Sequence, residues 1–162
     1  MNRWEEPGGE VRILRVAANP TRDPIIRPMQ GLHLTADLHG CDPAQPALTE
    51  LDALRTLCLG AVRAAALQPV GELFHRFPPA PDTTAPAGIT GVVLLAESHL
   101  AVHTWPEQAA VTLDVYVCNF GADNTANAQR LLDALLAAFR PAHAERHALR
   151  RGGAPAAWDA AA

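Results

Sequence analysis

The sequence contains no lysine; all 13 of its Lys+Arg residues are arginine. That absence excludes mechanisms built on an ammonium side chain: a lysine Schiff base to pyridoxal phosphate (PLP), a P-loop phosphate site, a lysine general base. Cysteine is scarce too. Cys41, Cys58 and Cys118 are odd in number, widely spaced and form no CxxC. Neither a disulfide framework nor a structural zinc site is indicated, and a reducing cytoplasm fits. No apolar run reaches membrane-spanning length and the N-terminus lacks the basic-then-apolar pattern of a secretory signal, so a soluble, cytoplasmic protein with no membrane partner is expected. With a net charge of −4 and no basic cluster there is no nucleic-acid footprint. Aromatic residues make up only 5%, yet 49% of the 162 residues are hydrophobic, enough for one domain whose core needs no staples.

Residues 1–28 are rich in Pro, Gly, Arg and Glu and are expected to form a mobile extension, with Met29 placed to serve as an alternative start. Residues 29–150 are expected to be a single domain and 151–162 an Ala-rich tail. From Gly31, LHLTADL alternates Leu32, Leu34, Ala36 and Leu38 with His33, Thr35 and Asp37, the pattern of a half-buried strand that Gly40 and Cys41 end. Thr49 and Asp52 resemble a capping box, and Leu51, Leu54, Leu57, Cys58 and Val62 follow at helical spacing to about Ala66. Gly71 to Phe77 reads as a strand and Pro78 to Ala87 as a long loop. Farther on, Asp123 or Asn124 caps a helix with Ala128, Leu131, Leu132, Leu135 and Phe139 on one stripe, and the segment from Pro141 adds an edge strand. The order β, α, β, β, β, α, β predicts an α+β fold: a two-layer sandwich, a mainly antiparallel sheet with helices packed on one face.

The stretch Gly88 to Cys118 organises the rest. A buried-strand run, Val92 to Leu95, breaks into the polar Glu97, Ser98 and His99; two strand patterns, Leu100 to Trp105 and Val111 to Cys118, then flank a Pro-containing turn. A turn centred on Glu107 and Gln108 sets Trp105 near Val111 and Ser98 near Cys118, bringing a hydroxyl and a thiol together, while His103 reaches the face of Ser98 only through a bulge or bend. Taken singly, these residues have plainer readings. Ser98 is a turn residue, His103 a satisfied histidine beside Trp105, Cys118 a small buried hydrophobe, Phe74 and Phe77 core, and His33 and Asp37 the solvent side of their strand. His99 and His103 lack a third ligand, so no metal is expected.

The string AESHLAVHTWPE, followed at the right distance by LDVYVC, resembles the bacterial self-processing S-adenosylmethionine decarboxylases over roughly Gly31 to Phe139. The resemblance implies cleavage between Glu97 and Ser98. The Ser98 hydroxyl attacks the preceding carbonyl, β-elimination releases the upstream chain, and hydrolysis of the dehydroalanine leaves a pyruvoyl group as cofactor, with neither PLP nor metal. That group forms a Schiff base with the substrate amine and draws electrons from the carbon losing CO2. The resemblance further assigns His103 and the hydroxyl of Thr90, which stands where the family has serine, to processing. It makes Cys118 the proton donor, Glu107 the ligand of the ribose diol and Phe77 the aromatic stacking on adenine. A homodimer of cleaved protomers with two sites near the interface is implied, acting on a small molecule and supplying the aminopropyl donor for spermidine. Two alternatives stand beside it: the same machinery acting on ornithine or arginine, and a homologue that never cleaves itself and is not an enzyme.

Overall fold

The computed structural model describes residues 30–78 and 86–152. The N-terminal extension, the centre of the Pro/Ala/Thr loop and the end of the Ala-rich tail lie outside them. Elements follow in the order β1 (Gln30–His39), α1 (Leu51–Ala64), β2 (Pro69–Arg76), β3 (Ile89–Leu95), β4 (Ser98–Trp105), β5 (Ala110–Cys118), α2 (Thr125–Phe139) and β6 (His143–Gly152). The strands form one six-stranded sheet in the order β2-β3-β4-β5-β1-β6 with every neighbouring pair antiparallel. The expected edge strand after Pro141 is β6. Among the described residues no helix is long and apolar enough to cross a membrane.

Strict alternation in the central strands divides the sheet into two unlike faces. Leu34, Ala36 and Leu38 of β1, Leu100 and Val102 of β4, and Val111, Leu113, Val115 and Val117 of β5 are buried on one side. Both helices pack there, α1 through Leu54, Cys58 and Val62 and α2 through Ala128, Leu131, Leu132, Leu135 and Phe139. Each leucine so buried contributes about 1.5–3 kcal/mol. Burial pushes the Cys58 thiol up to about 12 and Cys41 upward, so neither is a nucleophile at neutral pH. The one buried polar side chain among the described residues, Thr104, is satisfied by accepting the Ile89 N–H at 2.9 Å.

The opposite face carries Thr90 and Leu94 of β3, His99 and His103 of β4, Asp114, Tyr116 and Cys118 of β5, and His33 of β1. No described element covers it, and Leu94 and Leu73 remain exposed there at 50% and 69%.

Two local expectations are corrected. Trp105 pairs with Ala110 and Ser98 with Val117, one residue off the expected register. The cause is the connection: a 3-10 turn Pro106–Gln108 closed by Ala109 in the left-handed conformation at φ 48° spans four residues, one fewer than a Trp105–Val111 pairing leaves. Thr49 does not cap α1. Pro46 starts a 3-10 turn that uses the Thr49 amide, leaving Glu50 at the N-cap without a side-chain bond. At α2 the N-cap is Asn124, while Asp123 accepts the Thr125 amide at 2.9 Å. Thr125's hydroxyl and amide hold the Asp123 carboxyl below its ordinary value.

Candidate active site

Only Ala96 and Glu97 separate β3 from β4, and the tightness of that connection falls on Ser98, whose φ is 145°. An L-residue rarely adopts this conformation, which costs on the order of 1–3 kcal/mol and persists only where the surroundings impose it. Here they do. The Cys118 N–H donates to the Glu97 carbonyl at 2.8 Å and the Ala96 N–H to Gln68 at 3.0 Å. The Glu97 carboxylate accepts the N–H groups of Phe120 and Gly121, both at 3.1 Å, and Asn124 Nδ2 at 3.2 Å. Asn124 is itself fixed, its amide donating to Asn119 Oδ1 at 2.9 Å. Both the backbone and the side chain of Glu97 are therefore clamped next to the strained residue.

Gly121 belongs to this clamp because a Cβ there would lie 2.6 Å from Glu97 Oε1. The carboxylate is the far end of a flexible side chain and can swing away, so Gly121→Ala is expected to leave Tm little changed but to break the clamp. Conversion of any precursor, followed by mass against time, should slow several-fold.

The Glu97 carbonyl points its oxygen at a backbone donor, the arrangement that stabilises an oxyanion if that carbon is attacked. The attacking group is adjacent in sequence, and the imidazole nearest to it is His99, with Nδ1 3.4 Å from Ser98 Oγ. His99 sits edge-on to Tyr116 at 5.9 Å between ring centroids. Tyr116 hydrogen-bonds the Cys118 side chain, which with burial and the sulfur's charge raises its phenol above the ordinary value against the opposing pull of Arg151. His33 pairs with Asp114 on the neighbouring strand of the same face. On the helix side of Glu97 the cleft holds only about 140 Å³.

Thr90 and His103 are cross-strand partners, and Thr90 Oγ1 lies 2.9 Å from His103 Nδ1. They are not beside Ser98. Five strand residues at ~3.3 Å each put His103 roughly 16 Å away. Glu107 is farther still, exposed in the turn at the other end of β4. Phe77 follows β2 at that same end, its N–H donating to Gly88 at 3.0 Å, and is 45% exposed. The candidate residues thus fall into two separated groups along β4: Glu97, Ser98, His99 and Cys118 at its start, and Thr90, His103, Glu107 and Phe77 from its middle to its other end. Among the described residues no three His, Cys, Asp or Glu side chains converge as a metal site.

His99, Tyr116, Asn124 and Gly121 were not singled out by the sequence as site residues. His99 entered only as a rejected metal ligand, and the clamp uses backbone amides of a loop whose fold no periodicity encodes.

A family model described as S-adenosylmethionine decarboxylase matches residues 32–152. The S-adenosylmethionine decarboxylase proenzyme of Aquifex aeolicus is 36% identical over 122 residues, covering 75% of this chain and 81% of that protein. The proenzyme of the same name from Thermococcus kodakarensis is 34% identical over 122 residues, 75% of this chain and 76% of its own. The crystal structure of the Aquifex aeolicus adenosylmethionine decarboxylase superposes with a TM-score of 0.66 at 35% identity, covering 78% of this chain and 93% of that one.

Proposed function

The chain belongs to the S-adenosylmethionine decarboxylase family, and on that premise we propose that it cuts itself between Glu97 and Ser98 and then decarboxylates S-adenosylmethionine, supplying the aminopropyl donor for spermidine. It is a carboxy-lyase synthesised as a proenzyme. The observation that carries the cleavage step is the strained Ser98 beside a Glu97 carbonyl already accepting the Cys118 N–H. Attack by Ser98 Oγ on that carbonyl relieves the strain and puts negative charge on the oxygen the N–H already holds. Loss of the Ser98 α-proton then breaks the ester's Cβ–O bond, so that Glu97 leaves as a carboxylate. Water enters and ammonia departs from the residue that remains.

The pyruvoyl group so formed supplies an electrophilic carbonyl that takes the substrate amine and draws electrons as CO2 leaves. The residues fit it. Ser98 heads β4 and is partly exposed, and no lysine competes for the role. Cys118 is placed to return a proton, on the strand next to Ser98 and one residue beyond its register partner. Cys118→Ser keeps the backbone N–H that supports the Glu97 carbonyl. Cleavage is therefore expected to proceed while kcat falls by roughly 100-fold or more, the share that general acid catalysis supplies.

The separation of Ser98 from Thr90, His103, Glu107 and Phe77 supports a homodimer with composite sites. Two copies packed open face to open face about a two-fold axis bring the Ser98 end of each over the His103 end of the other. Exposed Leu73 and Leu94 give that face the apolar surface such packing buries. Thr90 orients the His103 imidazole for processing, and Glu107 and Phe77 then meet the ribose diol and the adenine of the substrate.

The direct test is CO2 release from carboxyl-labelled S-adenosylmethionine, ornithine and arginine by the cleaved protein. Release from S-adenosylmethionine alone is expected. Release only from a basic amino acid would overturn the substrate assignment.

A further inference from the structure

Tyr116 is the only tyrosine in the chain, and although it stands on the open face it is just 9% exposed. The Arg151 guanidinium lies 4.6 Å over its ring, and His33 and His99 flank it at 5.6 and 5.9 Å. Beneath it is Gly31. A Cβ at that position would fall 2.8 Å from Tyr116 Cε2 and 3.0 Å from its hydroxyl. Gly31 is the register partner of Cys118, so the bare backbone there is what lets the phenol lie along the sheet with its oxygen at the cysteine. A buried phenol needs a polar partner, and a thiol at a strand end has three χ1 wells to choose from.

We propose that Tyr116 is the positioning residue of Cys118: seated on Gly31 and covered by Arg151, its hydroxyl donates to the sulfur and fixes its rotamer. The role rests on the assignment of Cys118 as the proton donor. A donor that fixes the sulfur makes the proton's destination definite, so removing the donor should slow the proton-transfer step without touching substrate affinity. Cleavage at Ser98 does not involve the phenol and should be unchanged. The raised titration of Tyr116, traced first to its bond with Cys118, agrees with this direction of donation.

Two measurements on the full, cleaved protein test it. Because Tyr116 is the sole tyrosine, tyrosinate absorbance against pH reports this group alone. The wild-type midpoint is expected above the ordinary phenol value of ~10, and Cys118→Ala should lower it. Superimposable curves would overturn the proposal. In Tyr116→Phe, alkylation of Cys118 by iodoacetamide at one fixed pH, located by peptide mass with buried Cys41 and Cys58 as internal controls, should slow several-fold as the sulfur loses its donor and its fixed rotamer. With it, kcat should fall about fivefold at unchanged KM. An unchanged alkylation rate with unchanged kcat would also overturn it. If Tyr116→Phe does not fold, the tyrosinate comparison still decides. If the wild type releases no CO2 from S-adenosylmethionine, the functional reading fails, while the titration and alkylation still report whether the phenol and thiol are coupled.

Discussion

Ser98→Ala is expected to yield one intact chain with no decarboxylase activity. The variant keeps the clamp on Glu97, because Phe120, Gly121 and Asn124 bond its carboxylate and Cys118 bonds its carbonyl. It also keeps the fold, since Ser98 contributes little to the buried core. What it lacks is the oxygen that attacks the carbonyl and leaves with it, and no neighbouring hydroxyl or thiol can give the same product. Loss of both cleavage and turnover from one atom, in a protein with unchanged Tm, separates chemistry from stability. An active Ser98→Ala protein would sink the mechanism.

The second large effect is a rescue. His103→Ala alone should remain uncleaved, because the Thr90–His103 pair is assigned to processing. Coexpressed in equal amounts with Ser98→Ala, it should regain cleavage, since in a mixed dimer the intact Ser98 of one chain faces the intact His103 of the other. Random pairing makes half the dimers mixed and each has one complete site, so roughly a quarter of wild-type activity is expected. Mass analysis should find cleavage only in the His103→Ala chain. If His103 instead acted within its own chain, the mixture would be as inactive as either variant.

These expectations draw unequally on sequence and structure. The stripe Ala128, Leu131, Leu132, Leu135, Phe139 is buried as its spacing requires, and the alternation in β1 and β5 already told the helix face from the open one. Periodicity encodes such faces directly. The hairpin register differs by one residue because Ala109, in the left-handed region, closes the connection after four residues instead of five, and an alanine carries none of the glycine or asparagine signal that marks such a turn. That slip matters for chemistry: it puts Cys118 across from Glu97, where its N–H meets the carbonyl at the proposed cleavage point. The family string singled out Ser98, His103 and Cys118 together but not that a strand's length separates the first two. That separation is invisible until β4 is laid out as an unbroken strand, and it is what motivates the proposed second copy. The clamp by Asn124 and Gly121 was illegible because it depends on where the loop after β5 returns.

The most direct measurement is the intact mass of freshly purified protein under denaturing conditions, followed by a carbonyl-reactive probe. Two fragments divided between Glu97 and Ser98 are predicted, the C-terminal one blocked to N-terminal sequencing and labelled by the probe. A single unlabelled chain that persists through prolonged incubation would contradict the account.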